Sequence, residues 1–286
     1  MPAHYHKART FHELHTREGC FLMPNAWDIG SARLLAASGF AALATTSAGI
    51  AFSLGRPDHL FCAENARLER EPMLARIGAI AESIALPLNA DLEAGYGSSA
   101  EAVAATIRLA IDSGAAGGNI EDYTGEPRAP LFDVEVACER IRAARAAIDA
   151  SGIPFVLVAR TDPFLVGHPQ PFAEAVLRAN LYRAAGADCL FIPGPSDAHT
   201  IGTLVKEVHG PISVVMGLTG QALSANQLAA LGVRRISIGA SLARVVYQQI
   251  REAAQEMATT GTFSYADAQM PQSELNRVFE SYLHAP

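Results

Sequence analysis

The sequence predicts an α/β fold, a (β/α)8 (TIM) barrel followed by an additional C-terminal helical segment. From Cys20 onward, short apolar runs alternate with longer segments of helical period, and eight such pairs follow one another. No GxGxxG pattern opens a helix after the first run, which counts against a dinucleotide-binding sheet. Eight pairs favour a closed parallel barrel, and a doubly wound open sheet is the alternative architecture. The 286 residues fit a single domain, with the barrel core at about 20–257 and an extension at 258–286.

Each predicted strand is a short apolar run, and each predicted helix follows such a run with apolar residues on one face. The strands are Phe21–Pro24, Ala41–Thr45, Pro87–Asp91, Gly118–Glu121, Phe155–Arg160, Cys189–Ile192, Ile212–Met216 and Arg235–Ile238. Helix candidates include Ile29–Ser38, Ala100–Ser113, Val134–Ala150, Ala173–Ala185 and Leu242–Met257. A glycine follows several of these helices, as Gly152 does, and suits the left-handed residue that ends many helices.

The residues after the eighth helix form a segment that a minimal barrel does not need. Within Phe263–Pro286, the apolar residues Leu275, Val278, Phe279 and Leu283 have the spacing of one helix face. We expect this face to contact another subunit of a homo-oligomer.

Composition indicates a globular protein with a large core and without nucleic-acid or membrane partners. Half of the residues are apolar, 18% are charged, and the formal net charge is −7. An acidic chain without a basic tract does not suit binding to nucleic acid or to anionic lipids. The polar start, Met1–His15, lacks an apolar signal segment, and no apolar run approaches the ~18 residues of a membrane span. A cytoplasmic location is therefore expected.

Cysteines and histidines often mark active sites, but here their positions favour structural roles. The four cysteines, at 20, 62, 138 and 189, show no zinc-binding spacing and are expected to be reduced core thiols. Cys138 lies inside a helical pattern, which favours a core thiol over a nucleophile. The histidines of the polar start are expected to be solvated, and they are His4, His6, His12 and His15.

Two acids stand where the third predicted strand ends. The stretch Leu88–Gly97 reads as a buried strand that delivers Asp91 and Glu93, followed by a glycine-rich turn. Alternation on a strand places both carboxylates on one face, where they repel each other. A hard divalent cation with oxygen ligands relieves that repulsion. The alternative interpretation is an N-cap and a turn residue before the next helix.

Polar residues also follow the second predicted strand, and they would meet the acid pair at the C-terminal mouth of the barrel. Thr46 and Ser47 belong to a run of small residues whose backbone N–H groups suit an anion. Asp58 follows downstream and brings a further acid towards the same mouth.

The fourth and fifth strands add an acid and a cation. Glu121 and Asp122 are adjacent, so only one of them can face inward, and we assign Glu121 to the interior as the third acid. Arg160 ends the fifth strand, where it either holds a substrate carboxylate by two parallel hydrogen bonds or neutralises Glu121. Together these strand ends describe a site for a metal ion and a carboxylate.

Four motifs resemble those of the isocitrate lyase/phosphoenolpyruvate mutase superfamily, in the same order and from about Phe21 to the end of the eighth helix. They are Leu54-Gly55-Arg56-Pro57-Asp58, Asp91-Leu92-Glu93-Ala94-Gly95-Tyr96-Gly97, Gly114-Ala115-Ala116-Gly117 leading to Ile120-Glu121-Asp122, and Ala159-Arg160-Thr161-Asp162. The resemblance implies a Mg²⁺-dependent enzyme, with Mn²⁺ as the alternative ion, that acts on 2-oxo acids or their products through an enolate held on the metal. It also implies a homo-oligomer, a tetramer or a dimer, with the last barrel helix exchanged between neighbours.

The same resemblance assigns roles to individual residues. The metal acids would be Asp91, Glu93 and Glu121, the substrate-binding residues Thr46, Ser47 and Arg160, and the catalytic candidates Asp58, Arg160 and Tyr123.

The loop after the fourth strand departs from the lyase branch of this superfamily. Isocitrate and methylisocitrate lyases carry a Lys-Cys-Gly-His type loop whose cysteine serves as the acid, whereas this chain has Tyr123–Pro130 without Cys or His. The Asn- and Ser-rich loop of the mutase and phosphonopyruvate hydrolase branch is also missing.

These departures indicate a class of reaction but do not identify the substrate. We expect C–C cleavage or decarboxylation of an oxaloacetate-like 2-oxo acid, or of a 2-hydroxy di- or tricarboxylate. Tyr123, Asp58 or a metal-bound water would donate the proton. Two alternatives are P–C bond chemistry on phosphonopyruvate and binding of a 2-oxo acid with little catalysis.

Overall fold

In the described part of the chain, nine short parallel strands form one sheet that closes on itself. The computed structural model describes residues 3–59, 67–219 and 222–283. Strands β1 (Phe21–Leu22) and β2 (Asn25–Ala26) are two halves of one extended segment, interrupted at Pro24, which has no N–H to donate. β1 pairs with the last strand, β9 (Arg235–Ser237), and β2 pairs with β3 (Leu43–Thr45). The first segment therefore joins both edges of the sheet, and the predicted barrel is confirmed over the open-sheet alternative.

From β3 onward, every strand is followed by a helix, as the sequence predicts, and β3 is followed by two. The other strands are β4 (Leu88–Asp91), β5 (Gly117–Glu121), β6 (Val156–Arg160), β7 (Cys189–Phe191) and β8 (Ile212–Val215). The helices are α1 (Ala3–Thr16), α2 (Ile29–Ala37), α3 (Ser47–Ser53), α4 (Arg70–Ser83), α5 (Ala100–Asp112), α6 (Val134–Ser151), α7 (Pro171–Ala184), α8 (Ala198–Glu207), α9 (Ala225–Ala230), α10 (Ser241–Thr260) and α11 (Gln272–Glu280). A short 3-10 helix, Ser264–Ala268, precedes α11.

Side chains on the strands divide between two apolar cores. Inward-facing residues such as Val158 and Phe191 fill the barrel, and outward-facing residues such as Leu157 and Leu190 pack against the surrounding helices. This alternation explains why the strands read as continuous apolar runs, because both faces of a parallel barrel are covered. It also determines which residue at each strand end faces the barrel interior.

Helix α1 caps the N-terminal end of the barrel, and this corrects one prediction. Phe11 lies so close to Gly117 that a Cβ on that residue would be 2.6 Å from the ring, which explains the glycine at the start of β5. His15 is buried beside Phe11 and Phe21, with ring centroids 4.6 and 5.1 Å away, so the expectation that it is solvated was wrong. The predicted core boundary at about residue 20 therefore leaves out a helix that seals the barrel.

The C-terminal helices differ in how much of their surface the chain covers. α11 packs on α2, and just after α11 ends, the Tyr282 hydroxyl donates to the Arg33 carbonyl oxygen of α2 over 3.0 Å. By contrast, only Ala243 of the twenty residues in α10 is buried. Among the described residues, no helix combines the length and apolar character that crossing a membrane requires.

Three of the four cysteines lie in the described part of the chain. Cys138 and Cys189 are buried and free, which confirms the prediction of a core thiol in α6, and Cys20 is half-buried. Cys62 lies outside the described residues.

Candidate active site

A cavity of about 140 Å³ opens at the C-terminal ends of the barrel strands, and we call it the barrel cavity. Five of the predicted site residues line it, and they are Thr46, Ser47, Asp58, Asp91 and Arg160. Glu93 and Tyr123 line an adjacent pocket instead. Glu121 is buried at the end of β5, with 1% of its surface exposed.

The Asp91 carboxylate is fixed at the wall of the barrel cavity. Its Oδ2 accepts hydrogen bonds from the backbone N–H of Ser47 (2.9 Å) and from the Ser47 hydroxyl (2.8 Å). Its Oδ1 accepts one from the Asn119 amide, over 2.8 Å. The Ser47 N–H group lies at the start of α3, where Thr46 is the N-cap, so a carboxylate of the chain occupies part of the predicted anion-binding loop.

Arg160 carries two carboxylate partners. Its Nε and Nη2 donate to the two oxygens of Asp162, at 2.7 and 3.0 Å, and its Nη1 lies 2.8 Å from Glu121 Oε2. The sequence left open whether this guanidinium binds substrate or neutralises Glu121, and the structure shows the ion pair with Glu121. Arg160 still borders the barrel cavity, so it can offer a polar edge but little uncompensated charge.

Glu121 faces inward and Asp122 faces outward, as alternation predicts. Asp122 accepts hydrogen bonds from Thr161, over 2.7 Å, and from Tyr182, over 2.8 Å, behind the sheet. Because it ties β5, β6 and α7 together on the outer side, its role is structural. Glu121 is therefore the acid of this strand that faces the barrel interior, where it contacts His59 and Arg160.

Glu93 departs from the predicted face. β4 ends at Asp91, and Glu93 has a left-handed backbone with φ of 51°, so strand alternation does not extend to it. Its carboxylate turns to the adjacent pocket, where it lies 3.7 Å from His59 Nδ1. The two acids of the motif are therefore separated by the turn of the chain.

His59 joins the acids and was not predicted as a site residue. Its Nε2 lies 2.5 Å from Glu121 Oε1 and its Nδ1 lies 3.1 Å from Asp58 Oδ1. Burial alone would lower the pKa of His59, but the carboxylates of Glu121, Asp58 and Glu93 outweigh it and hold the pKa well above the usual value. The sequence feature that could have identified His59 is its position directly after Asp58, the last residue of the first motif.

Polar residues also form the floor of the barrel cavity, one strand layer below the acids. Asn89 donates to Asn119 Oδ1 over 3.1 Å, and Arg235 donates to Asn89 Oδ1 over 3.3 Å and to the Ser213 hydroxyl over 2.9 Å. Asn89, Asn119 and Arg235 all border the cavity. Alternation could have found Asn89, which stands two residues before Asp91.

Comparison with known proteins assigns this architecture to a family. The family model for phosphoenolpyruvate phosphomutase matches residues 11–258 of the chain. The chain belongs to the phosphoenolpyruvate phosphomutase family. The predicted isocitrate lyase/phosphoenolpyruvate mutase superfamily is thereby confirmed, and its enzymes are lyases and mutases.

Relatives within the superfamily have several described activities. A crystal structure from Burkholderia cenocepacia J2315, provisionally described as a lyase/mutase, shares 44% identity at a TM-score of 0.92, with 98% of each chain covered. The 2-methylisocitrate lyase of Escherichia coli K12 is 34% identical over 64% of this chain and 60% of that enzyme. The oxaloacetate decarboxylase of Pseudomonas entomophila L48 is 29% identical over 84% of this chain and 81% of that enzyme.

Members of the phosphoenolpyruvate phosphomutase family and its superfamily generally depend on a divalent metal ion, and the acids of this chain fit one held largely through water. Among the described residues, no three His, Cys, Asp or Glu side chains converge to coordinate an ion directly. Burial, with repulsion from Glu121, Asp91 and Asp58, nevertheless raises the pKa of Glu93 to about 8, despite the opposing effect of His59. A cation would relieve this repulsion, and Mg²⁺ commonly keeps several waters while binding one or two carboxylates.

Proposed function

We propose that this member of the family is a Mg²⁺-dependent lyase that cleaves or decarboxylates a small oxaloacetate-like 2-oxo acid, or a 2-hydroxy di- or tricarboxylate. The observation that carries the proposal is the Asp91 carboxylate, which borders the barrel cavity with both oxygens fixed by Ser47 and Asn119. Such an acid at the C-terminal mouth of a barrel suits a cation that contacts a substrate oxygen. Similarity to an oxaloacetate decarboxylase and to a 2-methylisocitrate lyase supports the same reaction class.

The three acids would contact the metal ion in two ways, directly or through water. Asp91 would hold the ion, and Glu93 and Glu121 would act on it through ordered water. Mg²⁺, or Mn²⁺ as the alternative, supplies a Lewis acid that withdraws electrons from the oxo group of the substrate. We propose water-mediated roles for the other two acids because His59 and Arg160 already contact them.

The chain's own groups would orient the substrate and move the proton. Thr46 and Ser47 border the barrel cavity. The Thr46 hydroxyl would donate to a substrate oxygen, and the Ser47 hydroxyl, which already donates to Asp91, would accept from a hydroxyl group of the substrate. Arg160 would contribute directed hydrogen bonds, because Glu121 and Asp162 balance its charge. Of the predicted proton donors in the chain, Asp58 borders the cavity and Tyr123 borders the adjacent pocket, so we assign proton transfer to Asp58.

Turnover of 2-oxo acids with and without metal tests the proposal. We expect the purified protein to consume oxaloacetate or a related oxo acid with Mg²⁺ or Mn²⁺, to lose activity on chelation, and to lose it in D91A. The matched control is D112A, which removes an exposed acid at the end of α5. Full activity after exhaustive chelation would contradict the proposal.

Two other outcomes of the same assay would replace the proposed reaction. Phosphate release from phosphonopyruvate, with no product from carbon-only acids, would establish P–C chemistry. Metal-dependent binding of an oxo acid in calorimetry, with no product in mass spectrometry, would establish a binding protein.

The proposal includes assembly into a homo-oligomer, either a tetramer or a dimer. The exposed side chains of α10 include Val245 and Ile250, which are 56% and 58% exposed. A second copy of the chain is the occupant that we propose for this apolar face. A cytoplasmic location stays a prediction.

A further inference from the structure

Arg235 is a buried cation at the floor of the barrel cavity, and no acidic side chain among the described residues pairs with it. Only 1% of its surface is exposed. Its Nε donates to the Ser213 hydroxyl and its Nη1 to the Asn89 side-chain oxygen, and both partners are neutral. Its Nη2 donates to no group within the described ranges. Burial lowers the pKa of this guanidinium, as expected for a cation without a nearby carboxylate.

An unpaired buried charge is expensive unless something in the working protein compensates for it. Arg160 shows the contrast, because two carboxylates share its charge at the mouth of the same cavity. Arg235 borders the barrel cavity from below, beside the polar groups of Asn89 and Ser237. The floor therefore offers a cation with an unused donor, whereas the mouth offers one already neutralised.

We propose that Arg235 binds a second carboxylate of the substrate at the floor of the barrel cavity, which makes this enzyme selective for dicarboxylates. This inference rests on the proposed function, since it takes the barrel cavity to be the substrate site. A guanidinium can donate two hydrogen bonds to one carboxylate, and Nη2 supplies at least the first of them. A monocarboxylate of the same length leaves Arg235 uncompensated, so the preference follows from charge as well as from shape.

A rival role for Arg235 follows from the same hydrogen bonds. A chain of donors runs from Arg235 to Asn89, from Asn89 to Asn119, and from Asn119 to Asp91, over 3.3, 3.1 and 2.8 Å. If Arg235 acts only through this chain, it orients the Asp91 carboxylate and never contacts substrate. The two roles predict different effects of substituting Arg235. A role in substrate binding predicts a loss of dicarboxylate affinity, and a role through Asp91 predicts a loss of metal affinity.

Binding of two matched acids with Mg²⁺ present tests the proposal. Malate and 2-hydroxybutyrate share four carbons and a 2-hydroxy acid group, and they differ in the second carboxylate. Calorimetry on the wild type should show malate binding at least about tenfold more tightly. R235M should lose that preference while binding of 2-hydroxybutyrate is unchanged, and R235K should retain part of it because the charge remains without the planar fork.

The neighbouring residue provides a matched control. Arg234 donates to the backbone carbonyls of Arg17 and Gly19, away from the barrel cavity, so R234M makes the same change in charge and should keep the malate preference. Methionine in place of a buried unpaired cation is compatible with folding. Should R235M fail to fold, R235Q provides the same comparison with polar contacts retained.

The outcomes separate the proposal from its rival and from the proposed reaction. A malate preference that is absent from the wild type or survives in R235M overturns the role in substrate binding. So does a fall of about tenfold in Mn²⁺ affinity in R235M with the malate preference intact, because Arg235 would then act on Asp91. Absence of turnover in the wild type would count against the lyase proposal alone, since the preference is measured in the ground state.

Discussion

At the scale of single residues, His15 couples folding to pH. The ring is 3% exposed, its Nδ1 donates to the Phe11 carbonyl oxygen over 2.8 Å, and its Nε2 is buried without a partner among the described residues. Burial, and then the positive charge of Arg235, lower its pKa from 6.5 to about 3. Between these values the unfolded chain binds a proton that the folded chain does not, so stability falls as the pH drops below 6.5.

We predict that H15F removes this pH dependence. For one group with these pKa values, acidification from pH 8 to pH 5 lowers the free energy of unfolding by about 2 kcal/mol. Phenylalanine cannot be protonated and keeps an aromatic ring against Phe11 and Phe21. Urea unfolding of both proteins at the two pH values measures the difference. Equal losses of stability on acidification in H15F and wild type would contradict the prediction.

Some site residues could be placed from the sequence because strand alternation holds inside β5. Glu121 faces inward and Asp122 outward as predicted, since both belong to the strand or its immediate end. Glu93 could not be placed, because the strand ends before it and its positive φ has no signal in the residue type. His59 lies in a loop, where no periodicity indicates direction.

At the scale of elements, α6 holds the loop that follows β4. Arg140 of α6 donates to the carbonyl oxygens of Gly97 and Ser98, both over 2.7 Å, and to that of Ala94. The guanidinium also stacks on Phe132, 4.1 Å from the ring centroid. One side chain thus satisfies three backbone groups in the loop that contains Glu93.

We predict that R140K disturbs this loop although it keeps the charge. A lysine ammonium is a point charge and cannot reproduce the planar fork that reaches three carbonyl groups, so stability should fall by roughly 2 kcal/mol. Metal affinity should fall with it, because Glu93 loses its support. The comparison is R145K in the same helix, where the guanidinium binds Asp149 and Asp188 instead. Mn²⁺ titration of both variants measures the effect, and equal affinities would contradict it.

Helix α1 shows why an element can be missed although its pattern is in the sequence. Ala8, Phe11 and Leu14 recur at a spacing of three and are all buried. Histidines and charged residues surround them, which lowers the apolar signal of the segment as a whole. The tertiary contact with the barrel, rather than local preference, makes this helix part of the core.

At the scale of the whole molecule, the closed barrel could be predicted because eight strand and helix pairs leave few other arrangements. The sequence also predicts that the last segment contacts another subunit, but that segment is partly covered by its own chain. Val278 and Phe279 are half-buried and α11 packs on α2 of its own chain, so α10 is the longer uncovered apolar surface. An apolar helix face in a sequence does not indicate whether its own chain or another subunit covers it.

We predict that this uncovered face of α10 holds subunits together. V245D combined with I250D places two charges among exposed apolar side chains and should shift the protein to a smaller species, because burying an unpaired charge opposes association. L177D is the matched control, since Leu177 is 51% exposed on α7. Light scattering measures the mass of each variant. A wild type that is monomeric, or a double variant of unchanged mass, would contradict the prediction.

The first strand segment pairs with both edges of the sheet, and this pairing determines when the barrel can close during folding. Arg234, beside the last strand, donates to the carbonyl of Gly19, which lies 215 positions earlier in the chain. During synthesis the N-terminal segment emerges first, yet its partner, β9, is the last of the described strands to appear. The interior therefore stays open to water until almost the whole chain has been released. Closure then depends on contacts of very high sequence separation, the kind that form slowly and leave strand edges exposed in the meantime.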